Sequence, residues 1–351
     1  SGALARATTS SNNTAVGYQA LLATTEGGNL VAIGKDSLSS NTTASWNVGV
    51  GFEALKLNTS ATYNVAVGAR ALSANVDGAS NTAVGYNALK VSTASNNTAI
   101  GSLALAANLA GSENTAVGIG ALQSNLGGGS NTAVGRLANE SNTTGDFNVS
   151  MGETALENNT TGIKNVAIGA RALQANVDTS HNTAVGHHAL LINTGGNNTS
   201  VGAFSLVANT TGANNVVVGK NAGNAITDGA NNTCIGTAAG GNDVDLTTGD
   251  ENVIVGSLAD TSIANAQNQT VIGYDANGIG DNYAVIGNAA TERLYVAQDG
   301  AGVLYANGTI QSSDRRLKEN INDSDLGLEF INKIRPVSYT YINDKQDGKT
   351  K

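Results

Sequence analysis

The chain has 351 residues, among them 44 glycines and one proline, and only 13% are charged, about half the share of an average domain. That composition points to a repetitive β structure more than to an ordinary compact enzyme. A net charge of −9 argues against a nucleic-acid partner, whose phosphates call for clustered Lys and Arg, and the absence of an apolar run near 18 residues argues against membrane insertion.

Residues 1–10 are a lead-in, and residues 11–290 repeat one pattern. A glycine follows Val or Ile, or once Met151, at Gly17, Gly34, Gly51 and onward to Gly287, seventeen times in all. The interval is 17 in twelve of sixteen cases, 16 in two, and 20 and 14 near the end. Each unit reads Asn-Thr/Val-Ala-Val/Ile-Gly-x-x-Ala-Leu, as in Asn13 to Leu21, Asn81 to Leu89 and Asn182 to Leu190. Alternation of Val16 with Ala15 and Gly17 is the period-2 signature of a strand with two unlike faces. A helix fails on glycine alone, at about 1 kcal/mol per copy relative to Ala.

Each unit therefore predicts one turn of an elongated all-β solenoid or β-roll: a strand, a corner at glycine, a short Ala-Leu segment and a polar return. Segments such as Asn142-Thr143-Thr144-Gly145-Asp146 supply the tight turns. The expected core positions are the Val or Ile before glycine and the Leu four residues after it. Sixteen steps of about 4.8 Å would give a rod near 77 Å. The small Ala, Gly or Ser beside each Val, as at Ala15, Gly49 and Ser150, suits close approach of three chains about an axis, so a homotrimer is expected. The Asn-x-Ala-Val/Ile-Gly signature resembles the head repeats of trimeric autotransporter adhesins over about residues 11–290, although their period is usually shorter. That resemblance implies a trimeric left-handed β-roll.

Within the repeats, few residues invite chemistry. His187 and His188 fill the variable slots after Gly186; clustered from three chains they are weak metal candidates, but neighbours on a strand face opposite ways, so surface roles are expected. Cys234, the single cysteine, takes a slot usually held by Ala and reads as a buried inert thiol. Met151 reads as packing. Sequons such as Asn12-Asn13-Thr14 read as turn and ladder residues. Glu53, Glu153 and Glu157 lack the paired spacing of a glycosidase. A threonine ladder of the ice-binding kind is interrupted at Val65, Val149 and Val166. No cofactor is called for. With aromatic residues at 4%, no sugar-stacking platform stands out.

Residues 291–312 lose the repeat and read as a β-hairpin, with apolar runs on either side of Gln298-Asp299-Gly300. Charge then rises: 15 of the last 39 residues are charged, which places a boundary near 312. A helix is expected over Leu326–Ile334, ending before Pro336. The blocks Ser313-Asp314-Arg315-Arg316-Leu317-Lys318-Glu319-Asn320-Ile321 and Leu328 to Tyr339 resemble the start of the peptidase S74 family, the α+β intramolecular chaperone at the C-terminus of phage tail fibres and tailspikes. Residues 313–351 are then a truncated start of that domain. The resemblance implies a Ser313–Lys318 dyad that cleaves the Ser312–Ser313 bond, with Ser313 as nucleophile and Lys318 as general base. It also implies location in a virion tail, other tail proteins as partners, and a host cell-surface receptor such as a glycan. A trimeric bacterial surface adhesin is the alternative.

Overall fold

The computed structural model describes residues 2–292 and 294. The chain divides into two units after Thr291, and the described residues lie almost entirely in the first. Most of the hairpin expected over 291–312, the helix over Leu326–Ile334, and both Ser313 and Lys318 lie outside the described residues.

Seventeen strands of three residues run from Thr14–Val16 to Ala284–Ile286, one per repeat, with no helix among the described residues. Each is parallel to the next and in register, as in Thr14 opposite Val31, Val31 opposite Val48 and Thr270 opposite Ala284. Every repeat is thus one turn of a β-solenoid; turns are numbered here by their strands, 1 to 17. The corner glycines hold the stack together. Gly118 sits at φ +137, and a Cβ there would lie 2.3 Å from the Gly135 carbonyl oxygen of the next turn. No side chain fits such an approach.

After the corner come tight turns in place of a second strand. The leucine four residues on adopts the left-handed conformation, as at Leu21, Leu72 and Leu122 with φ of 52, 50 and 50°. That geometry costs roughly 1–2 kcal/mol in an L-residue. It aims the side chain into the turn, where burial contributes roughly 1.5–3 kcal/mol. Leucines from Leu21 to Leu206 are fully buried and form the spine of the interior.

The strand's central residue shares that interior: Ala32, Ala66, Ala99 and Ala167 are inaccessible. The Val and Ile before glycine are not. Val16, Ile33, Ile100 and Ile168 face outward and are substantially exposed, as is Met151. This corrects two expectations. The Val and Ile are not core, and the small residues line each chain's own interior and so do not mark a meeting of chains. Space decides the matter. One turn encloses room for an alanine methyl opposite a leucine, and a bulkier apolar strand residue enters only where leucine is missing. Val217 accompanies Gly223, and Cys234 accompanies Gly240; a Cβ on Gly240 would stand 3.1 Å from Cys234 Sγ and 3.1 Å from Ile254 Cδ1.

Two columns of buried asparagine satisfy the backbone between the apolar layers. In the first, before each strand, Asn47 Oδ1 accepts from the Asn64 backbone N–H at 2.8 Å, and Asn64 Nδ2 donates to the Gly78 carbonyl at 2.9 Å. In the second, Asn142 Nδ2 donates to Asn125 Oδ1 at 2.6 Å and to the Gly145 carbonyl at 3.0 Å. Each such bond contributes about 1 kcal/mol net, and losing one partner would leave a buried group unpaired. Among the sequon asparagines, Asn142, Asn159 and Asn209 belong to the second column and are buried, so they act as ladder rungs.

Candidate functional site

The chemistry offered by the repeats is sparse. His187 and His188 do come together, with rings stacked 3.8 Å apart at 18° and Phe204 edge-on to both at 5.2 Å. The expectation of opposite orientations fails because the pair follows the corner glycine and lies off the strand, and His188 has φ 59°. Desolvation, followed by repulsion from His187 and Arg171, holds the His188 imidazole below its ordinary pKa. Among the described residues no three His, Cys, Asp or Glu side chains gather as a metal would require. Two stacked imidazoles against a phenyl ring are a surface cluster.

The carboxylates are likewise tied up singly. Glu53 accepts from Lys56 Nζ at 2.7 Å and Arg70 Nε at 3.0 Å, and the Lys56 bond leads in holding its carboxyl below the usual range. Arg136 donates to Glu153, and Glu157 accepts from Gln174 Nε2 at 2.5 Å. Cys234 is fully buried, and desolvation pushes its thiol up to about 12. It matches the inert reading, since the thiolate is the reactive form.

What remains is a surface. Every strand presents its first and third residues outward. The third is Val, Ile or Met in all seventeen turns, so the solenoid carries one unbroken apolar column. The first is a second column, Thr in nine turns, Val in seven and Ala284 in the last. Three aromatics border this double column at the residue before the buried asparagine: Trp46, Tyr63 and Phe147, exposed by 55, 61 and 58%. The strand alternation predicted two unlike faces, but nothing local to the sequence said which would face out.

Residues 313–351 match the family model of peptidase S74, described as a chaperone of endosialidase. No curated protein matches the chain.

Proposed function

We propose that the chain is the shaft of a phage tail fibre or tailspike, assembled as a homotrimer and matured by a self-cleaving C-terminal chaperone. The observation that carries this is that one sequence holds a seventeen-turn β-solenoid and, after it, an S74-type segment over residues 313–351. A rod of repeated rungs positions whatever lies at its ends and sides, which suits attachment to a host surface. The uninterrupted outward Val and Ile column supports self-association. A contiguous apolar column that runs through all seventeen turns is the kind of exposed patch that marks an interaction surface.

In the cleavage reaction, Ser313 Oγ attacks the Ser312 carbonyl carbon while Lys318 takes the hydroxyl proton. The acyl group passes from the Ser313 nitrogen to its oxygen, freeing the amine and forming an ester. Water then hydrolyses the ester and leaves Ser312 as a carboxylate. A hydroxyl needs such a base near neutral pH. In the intact gene, Ser313→Ala should give one uncleaved band, and continued cleavage would remove Ser313 from the mechanism. Solution mass tests the assembly: a monodisperse monomer would overturn it. The Asn-x-Ala-Val/Ile-Gly signature keeps a trimeric surface adhesin as the second reading, and the coding sequence beyond Lys351 separates the two, since an adhesin would continue into a coiled-coil stalk and membrane anchor.

A further inference from the structure

A solenoid of near-identical turns faces a register problem when copies associate. Sliding one chain by a turn brings Val and Ile of the outermost column against Val and Ile again, so that column cannot distinguish one alignment from the next. The column beside it can. Its valines fall at Val31, Val48, Val65, Val149, Val166, Val216 and Val253, the second to fourth, ninth, tenth, thirteenth and fifteenth turns. With copies in register all seven Val rows coincide; a slip of one turn leaves three coincident and a slip of two leaves two. Each lost coincidence sets a threonine hydroxyl against a valine, which costs where the hydroxyl loses its water without gaining a partner.

The aromatics follow the same sequence of turns. Trp46, Tyr63 and Phe147 each stand two residues before a Val row, at Val48, Val65 and Val149, and none precedes a Thr row. The only other ring in this slot, the imidazole of His181, precedes a Thr row at Thr183, so the association with Val rows holds for Trp, Tyr and Phe. These three hold left-handed φ values of 61, 61 and 58°, a conformation that bulky residues adopt at a cost. Elsewhere this slot carries polar residues such as Asn29, Ser80, Glu113 and Lys164, so the solenoid itself does not require a ring there.

We propose that Trp46, Tyr63 and Phe147, with the valines beside them, are register keys for association of this chain with further copies of itself along the outward face. The occupant is a second copy because the face has the length and period of the chain itself. A band about 77 Å long and roughly 10 Å wide offers about 800 Å², the amount each partner contributes to a stable complex. A ladder of parallel, in-register strands is matched over that length by another such ladder. The proposal rests on the self-association reading above and adds what fixes the alignment.

The test uses the 351-residue chain with one reporter cysteine, at Val117→Cys in one preparation and at Val134→Cys in another, both outward positions on adjacent Thr-bearing turns. The two are co-refolded and oxidised; buried Cys234 does not compete. With the keys intact, only like-with-like cross-links are expected, 117 to 117 and 134 to 134. The keyless background carries Trp46→Asn, Tyr63→Ser, Phe147→Ser, Val48→Thr, Val65→Thr and Val149→Thr, residues that other turns already bear in these slots. There the mixed 117 to 134 product should rise at least several-fold, at unchanged oligomeric mass and circular dichroism. Like-with-like cross-links alone in the keyless chain would overturn the keys while leaving association intact. Monomers in both backgrounds would instead overturn the association itself.

Discussion

Turns 1 to 7 and turns 13 to 15 share one backbone and fill it in opposite ways. In the first group a small strand residue meets a large one after the corner, as with Ala66 and Leu72, or Ala99 and Leu105. In the second the bulk moves to the strand: Val217 with Gly223, Cys234 with Gly240, Ile254 with Asp260. Each turn therefore fixes the volume it encloses and leaves open which side supplies it. Between the groups lies a seam. The apolar interior ends at Ala138 and resumes at Ala155, because Asn139 occupies the leucine slot, fully buried, with neither side-chain polar atom bonded.

The comparison breaks most sharply by emptying a slot in the first group. Leu105→Ala removes a fully buried side chain from a turn whose strand residue is already alanine, so nothing can collapse into the space. A loss of about 2–5 kcal/mol is expected from denaturant unfolding. The converse change, Gly240→Leu, overfills a turn of the second group. Leucine accepts this backbone elsewhere in the chain, yet its Cβ would meet Cys234 and Ile254 at 3.1 Å each. A cost of about 1–3 kcal/mol follows. Adding Ile254→Ala, in the adjoining turn, should recover at least half of it by removing one of the two side chains the new leucine would meet. Strictly additive losses in the double variant would show that volume is not traded between adjoining turns.

These exchanges also show what could be read beforehand. The period of 17, the corner glycines and the Leu column were legible because each is a fixed chemical demand: a backbone approach no Cβ allows, or a large apolar side chain at constant phase. The direction of the strand faces was not. Period-2 alternation is symmetric between inside and outside, and hydrophobicity alone assigned Val16 and Ile33 inward. Only the volume of a turn, a property of the closed structure, reverses that assignment. The stacked His187 and His188 pair was missed for a related reason, since the corner rotates the chain out of strand geometry before the first of them. Ser313 and Lys318, inferred from resemblance, lie outside the described residues.

The seam gives a smaller effect of opposite sign. Asn139→Leu restores the column between Leu122 and Leu156 and removes two unpaired polar atoms from the interior. A gain of about 1–3 kcal/mol is expected. In a linear array stability is close to a sum of turns and the contacts between them, so amide exchange should slow most in turns 7 to 10 and little at the ends. A destabilised variant would mean that the asparagine is satisfied by a bound water that the leucine displaces.

Cys234 offers the finest probe of the second group. Desolvation foremost, and then the neighbouring Asp260 charge, keep its proton on up to about 12, against 9.0 for an ordinary thiol. Folding thus favours the protonated form, and its contribution is complete below pH 9 and declines as pH rises from there toward 12. A thiol reagent at pH 8 should react with Cys234 only when turns 13 to 15 open, at a rate many orders of magnitude below that of the unfolded chain. Comparing that rate with and without Asn139→Leu then asks whether the seam isolates the two groups. If the buried asparagine breaks the coupling, restoring leucine slows labelling six turns away; if each turn is held only by its neighbours, labelling is unchanged while exchange at the seam still slows.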